Sequence, residues 1–165
     1  MVFDDLYLKA EELMKLLNKA GLSISFAESL TGGMVASRLV DVPGSSEVLK
    51  GGVVSYTNEI KINVLGVSAA TIKKHTEVSE ECAEEMAKGV RKLTSSAISF
   101  SATGYAGDYE MSSDEMNGTV CFGFSYEDKC DTFTQHFEGL RDEVRKASVE
   151  FIYDTVISYL KEKYE

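Results

Sequence analysis

Ala27-Glu28-Ser29-Leu30-Thr31-Gly32-Gly33 follows a short apolar run, Leu22 to Phe26, and precedes a run of helical character, Met34 to Val40. A Ser and a Thr thus stand where a strand turns into a helix, next to two glycines that let backbone approach a ligand closely. A helix N-terminus presents unpaired N–H groups and a partial positive charge, which suit a phosphate, a carboxylate or a developing oxyanion. The same residues also read as an ordinary helix start, with Ser29 or Thr31 as N-cap and Gly33 as a packing residue.

Outward from this segment the chain alternates helix and strand. Leu6, Ala10, Leu13, Met14 and Leu17 recur at helical spacing, and Gly21 closes that helix. Asp41 to Ser46 is a loop with the single proline. Val48 to Tyr56 reads as a strand with a bulge at Gly51-Gly52. Asn58 is the expected N-cap of a short helix, Glu59 to Leu65, stopped by Gly66. Ser79 caps a further helix with Ala83, Met86, Ala87 and Val90 on its buried stripe. Ile98, Phe100 and Ala102 alternate in a strand ending at Thr103-Gly104. Thr119 to Tyr126 and Cys130 to Phe137 form a hairpin, and a last helix begins near Arg141. This order predicts an α/β fold, a three-layer sandwich with a mixed, mainly parallel sheet and helices on both faces. With 165 residues, no repeat and no composition break, residues 1–165 read as one domain.

The balance of 17 basic and 27 acidic residues gives a formal charge of −10, which argues against a nucleic-acid surface. Cys82, Cys121 and Cys130 are an odd set without CxxC spacing, read as reduced thiols of a cytoplasmic protein. His75 and His136 lack ligand-like neighbours, so no metal is expected. No apolar run approaches the roughly 20 residues that span a bilayer, and no membrane association is expected.

Three segments reach the carboxyl ends of expected strands, where open α/β sheets bind ligands: Ser29 to Gly33, Ser55 to Lys61 and Thr103 to Gly107. If Asn58 caps the short helix, Lys61 lies in its first turn, where the dipole disfavours a cation and favours the neutral amine. A neutral lysine near a serine is a workable general base. Tyr56 ends the same strand and could relay a proton. Each also has a plainer reading, Lys61 as a solvated surface residue and Tyr56 as a rim aromatic.

Ala-Glu-Ser-Leu-Thr-Gly-Gly (27–33), Asp-Val-Pro-Gly-Ser-Ser (41–46), Gly-Gly-Val-Val-Ser-Tyr-Thr-Asn-Glu-Ile-Lys (51–61) and Leu-Gly-Val (65–67) resemble the CinA C-terminal domain family. Val78-Ser79, Thr103-Gly104, Ala106-Gly107, Gly118-Thr119-Val120 and Gly139 to Arg145 continue the resemblance in order, over nearly the whole chain. Members act as nicotinamide mononucleotide deamidases of the PncC type. The resemblance implies an α/β/α sandwich, no cofactor, and hydrolysis of the nicotinamide carboxamide to nicotinate mononucleotide and ammonia. It further implies Ser29 as nucleophile with Lys61 and Tyr56 as activating partners. Thr31, Gly32, Gly33, Asn58, Thr103, Gly104 and Arg141 stand as candidates for contact with a small anionic nucleotide. Backbone N–H groups at Thr31–Gly33 or at Gly104 are candidates for holding the oxyanion. Homologues suggest a homo-oligomer. Glu28 belongs to the motif without an assigned role.

The chain departs from the family after Ala106-Gly107. A Pro-Gly-Gly-rich loop is usual there, whereas this sequence runs Asp108-Tyr109-Glu110-Met111-Ser112-Ser113-Asp114-Glu115-Met116-Asn117. This acidic stretch reads as a mobile loop near the expected anion site. Three readings follow: a nicotinamide mononucleotide amidase, an amidase on another amide, or a catalytically silent binding or regulatory module.

Overall fold

The computed structural model describes residues 3–107 and 115–165; the greater part of the acidic loop, 108–114, lies outside them. The elements run α1 (Asp5–Ala20), β1 (Ile24–Glu28), α2 (Met34–Val40), β2 (Leu49–Val54), α3 (Asn58–Asn63), α4 (Ala69–His75), α5 (Glu80–Thr94), β3 (Ile98–Gly104), β4 (Thr119–Tyr126), β5 (Lys129–His136) and α6 (Arg141–Tyr164). A 3-10 turn over Ser45–Glu47 interrupts the proline loop. Helix α4 was not expected from the sequence: Ala69–His75 buries no residue, so no apolar stripe announces it.

The strands form one sheet in the order β2-β1-β3-β4-β5. β1 pairs in parallel with both β2 and β3, while β3–β4 and β4–β5 are antiparallel. The sheet is therefore mixed, as expected, but divided evenly rather than mainly parallel, because the hairpin supplies the last two strands. The expected bulge is present: the register of β1 on β2 slips between Ile24–Leu49 and Ser25–Gly51. Gly52 is required there, since a Cβ would lie 2.8 Å from the Phe26 carbonyl oxygen.

Both faces of the sheet are covered. On one, Ile24, Phe26, Ile98 and Phe100 pack with Leu13 and Leu17 of α1, Leu39 of α2 and Val149, Ile152 and Val156 of α6. On the other, Ala27 joins Cys82, Met86 and Val90 of α5. The alternation in β3 is accordingly not apolar against solvent. Its intervening Ser99 and Ser101 are buried and donate to the α5 carbonyls of Ala87 and Ala83, each at 2.6 Å. Short hydroxyls let helix and sheet approach closely while satisfying buried polar groups. Gly123 serves the same approach, since a Cβ would sit 2.5 Å from the Ala83 oxygen.

From β1 the chain moves to β2 on one side and then to β3 on the other. Such a reversal opens a crevice at the carboxyl end of β1, the strand between β2 and β3. That end is Glu28, and the next residue is Ser29. Among the described residues, no helix is long and apolar enough to cross a membrane.

Candidate active site

Ser29 leaves β1 into a tight turn closed by the Gly32 N–H donating to the Ser29 carbonyl at 3.1 Å. Gly32 (φ 59°) and Gly33 (φ 100°) adopt left-handed backbone, so the pair serves the turn itself. Neither Ser29 nor Thr31 caps α2. The cap comes from Glu28, buried at the end of β1, whose carboxylate accepts from the N–H groups of Gly33 (3.2 Å), Val35 (2.9 Å) and Ala36 (3.1 Å). The expected anion site at the Thr31–Gly33 helix start is thus filled by the protein's own carboxylate. That end of α2 is not open to a ligand, and Gly33 holds no oxyanion with its N–H.

Lys61 is almost fully buried, 1% exposed. Its Nζ donates to the Ser55 carbonyl at 2.7 Å and lies 3.0 Å from Ser29 Oγ. Burial pushes its pKa below the ordinary 10.5, opposed in smaller measure by the neighbouring Cys82 and by the Glu77 carboxylate. The direction matches expectation but the cause differs. Thr57, not Asn58, caps α3, and α3 has only six residues, so Lys61 is as near its C-terminal end as its start. The neighbouring Cys82 thiol is itself pushed up to about 11 by burial and stays protonated. The Lys61 amine is therefore desolvated beside a hydroxyl without a buried anion against it, as a general base requires.

A cavity of about 510 Å³ opens over this pair. Ser29, Lys61, Tyr56, Asn58, Thr103, Gly104 and Arg141 all line it, so seven of the ten sequence candidates meet at one place. Thr31, Gly32 and Gly33 do not. Thr31 is wholly buried beneath the turn, with its hydroxyl unpartnered among the described residues. Thr103 spends its hydroxyl on the Glu77 carbonyl at 2.8 Å, so it anchors a loop. Gly104 has no room for a Cβ, which would lie 2.7 Å from the Thr119 oxygen. Tyr56 is largely exposed, and its hydroxyl accepts from Arg141 Nη2 at 3.2 Å instead of meeting Ser29 or Lys61. Arg141 also donates to the Gly107 carbonyl at 2.8 Å, so the two residues form the cavity's rim.

Three residues were missed as parts of the site. Glu28 is the cap. Arg145 reaches from α6 and donates to the carbonyls of Leu30 (2.9 Å) and Thr31 (3.1 Å), which orients both peptides of the serine turn. Its sequence signal was the Arg141–Arg145 spacing, one helical turn on a single face. Glu77 lines the cavity from the α4–α5 loop, and nothing in its sequence context distinguished it.

The fold and site define an α/β/α domain with a buried serine–lysine pair under an open cavity. A family model of the CinA C-terminal domain matches residues 7–160, and the chain belongs to that family. A CinA-like protein of Fervidobacterium nodosum is 44% identical over 140 residues, 85% of this chain and 34% of the relative. One of Thermotoga maritima is 40% identical over 151 residues, 92% of this chain and 37% of the relative. The chain thus spans about a third of the length of these curated relatives. Among solved structures, a competence-damaged protein (CinA) superfamily protein of Klebsiella pneumoniae superposes with a TM-score of 0.90 at 30% identity, covering 96% of this chain and 99% of that one. A competence or damage-inducible protein of Enterobacter asburiae gives 0.89 at 31% identity, covering 95% and 99%.

Proposed function

We propose that this domain is an amidohydrolase that converts nicotinamide mononucleotide to nicotinate mononucleotide and ammonia. The observation that carries the reading is the buried Lys61 Nζ held 3.0 Å from Ser29 Oγ. A purely structural domain gains nothing from desolvating an amine beside a hydroxyl, since the burial costs free energy that an apolar residue would not.

Neutral Lys61 keeps one N–H on the Ser55 carbonyl and turns its lone pair to Ser29. As Oγ attacks the amide carbon, its proton passes to Nζ. Among the described residues the Leu30 N–H meets no acceptor, and Leu30 lines the cavity beside Ser29; it is the donor assigned to the oxyanion, commonly worth about 3 kcal/mol. The Gly32 N–H supports this by holding the Ser29 carbonyl, which turns the Leu30 N–H of the same trans peptide the opposite way. The lysine proton then goes to the departing amine, the C–N bond breaks, and ammonia leaves an acyl ester on Ser29. Water, deprotonated by the same lysine, attacks the ester and releases the carboxylate with Ser29 restored. Tyr56 is assigned to the rim with Arg141, where the guanidinium suits a phosphate, and not to proton relay.

The test is ammonia release by the purified protein against a panel of nicotinamide nucleotides and simple amides. Turnover of the mononucleotide, lost in Ser29→Ala, is expected. Absence of turnover on every amide would overturn the reading.

A further inference from the structure

The loop joining α4 to α5 carries a strained backbone position. Thr76 sits at φ 69°, ψ 172°, a region that a β-branched side chain scarcely enters. The other non-glycine positive φ values, at Ser95 and Glu127, are 55° and 50°, and Ser95 with ψ 33° is ordinary left-handed backbone. The strained loop is pinned from four directions. The Thr76 N–H donates to Ile72 at 2.8 Å, and Ser79 Oγ donates to the Thr76 carbonyl at 2.9 Å. Thr76 Oγ1 donates to Val78 at 3.3 Å, and Thr103 Oγ1 donates to Glu77 at 2.8 Å. The last bond ties the loop to the end of β3, inside the cavity. What this arrangement presents is Glu77.

Among the described lining residues Glu77 is the one carboxylate, set against Lys61 and Arg141 as the basic residues. Its carboxylate makes no hydrogen bond or ion pair with another described residue, so capping and structural pairing do not account for it. Its charge is felt at Lys61, and Lys61 touches the nucleophile. A ring bonded directly to the scissile amide carbon must lie in the cavity that Glu77 lines together with Ser29 and Lys61. A carboxylate there without a partner among the described residues favours positive charge on that ring, while Arg141, anchored at Tyr56 and Gly107, suits an anionic group at the rim.

We propose that Glu77 is a specificity-determining residue that selects carboxamides whose aromatic ring carries a positive charge, an N-substituted pyridinium, over uncharged aromatic carboxamides of the same shape. The inference rests on the amidase reading of the same site and names the feature of the substrate that the site reads. Glu77 takes no part in bond making; besides its field at Lys61 it acts on the ring.

The experiment compares two ligands with the same ribose phosphate: nicotinamide mononucleotide, and the benzamide C-riboside 5′-phosphate, which lacks the ring charge. Dissociation constants and kcat/KM are measured for the wild type and for Glu77→Gln, which keeps size and removes charge. The wild type is expected to bind the charged ligand more tightly, and Glu77→Gln to weaken that ligand about fivefold, as for one partly screened charge pair, while changing the neutral one less than twofold. Equal changes for both ligands, or no change for either, overturn the inference. The first of these would mark Glu77 as a hydrogen-bond acceptor for the amide or a loop anchor. A charge-dependent difference in binding without turnover would keep the inference and remove the amidase reading. Turnover with no charge dependence would do the reverse. An unchanged melting temperature in Glu77→Gln separates these outcomes from misfolding.

Discussion

The floor and the rim of the cavity are built on opposite principles. On the floor, Ser29 and Lys61 are fixed by strand ends, by the buried Glu28 cap and by the two Arg145 bonds, and almost no water reaches them. At the rim, Tyr56 and Arg141 meet through a 3.2 Å bond in solvent, and Glu77 stands without a hydrogen-bond partner among the described residues, on a strained loop. A polar contact in a dry, preorganised setting acts strongly on a transition state, whereas an exposed one is screened and mainly adjusts binding. The contrast therefore predicts that floor substitutions lower kcat and rim substitutions raise KM.

The largest effects belong to the floor. Ser29→Ala and Lys61→Met should each lower kcat by at least about 10³-fold, in keeping with loss of a nucleophile or its base. Lys61→Met should leave the melting temperature unchanged or raised, because it removes a buried amine that burial already disfavours in its charged form. Activity retained by Lys61→Met would break the comparison outright. The pH profile gives the companion test. Below its lowered folded value Lys61 is protonated and inactive as a base, so kcat should rise with pH along a limb whose midpoint lies below 10.5. Between that midpoint and 10.5 the unfolded chain binds the additional proton, so stability should rise with pH over the same window, its cost relieved above 10.5. Cys82, raised to about 11, stays neutral along the limb. Glu77 is the other charge that acts on Lys61, and Glu77→Gln should move the limb to lower pH. A limb unmoved by that variant would place the titration elsewhere.

Glu28→Ala comes next. It strips the carboxylate from three N–H groups at the start of α2 and should cost about 3 kcal/mol of stability, since unpaired donors at a buried helix end carry a full desolvation penalty. Denaturant unfolding measures it. A loss under 1 kcal/mol would mean that water replaces the cap and that the floor is less rigid than its bonds suggest.

At the rim, Arg141→Met should raise KM for the mononucleotide about 10-fold with kcat nearly kept, the range of one partly exposed charge-assisted contact. Tyr56→Phe removes only the hydroxyl that accepts from Arg141 and should raise KM about twofold. Steady-state kinetics separate this from the relay role suggested by the sequence: a kcat loss of 100-fold in Tyr56→Phe would restore the tyrosine to the floor.

The same division governs what the sequence made legible. The Lys61 partnership came from the family resemblance, since burial and not a helix start sets its state, whereas the strand-to-helix turn at Ser29 was readable because glycines and a strand end fix it through local chemistry. The order and face coverage of the elements followed from periodicity for the same reason. Glu28 was not readable as a cap, because it bonds N–H groups five to eight residues on, beyond the usual capping offsets. Ser99 and Ser101 likewise had no role in the sequence, because the α5 carbonyls that accept their hydroxyls lie 12 and 18 residues away. Tyr56 was assigned to the wrong partner because its direction at the end of β2 depends on α6, some 85 residues away. Nothing local could place Glu77: its position is set by a backbone conformation that the threonine before it resists.

That threonine provides the smallest and most discriminating test. Thr76 at φ 69°, ψ 172° carries strain of about 1–3 kcal/mol, offset in part by the 3.3 Å bond from its hydroxyl to Val78. Glycine adopts that backbone without penalty but loses more entropy on folding. The terms leave Thr76→Gly more stable by about 1 kcal/mol, read as a shift of about 3 °C in melting temperature for a chain of this size. If the loop is pinned chiefly by the Ser79 and Thr103 bonds, which the substitution leaves in place, the charge-selective binding at Glu77 should survive. A variant that is stabilised yet loses the preference for a cationic ring would show that the strain itself aims Glu77. A variant that is destabilised would show that the threonine side chain, and not its neighbours, holds this wall of the cavity.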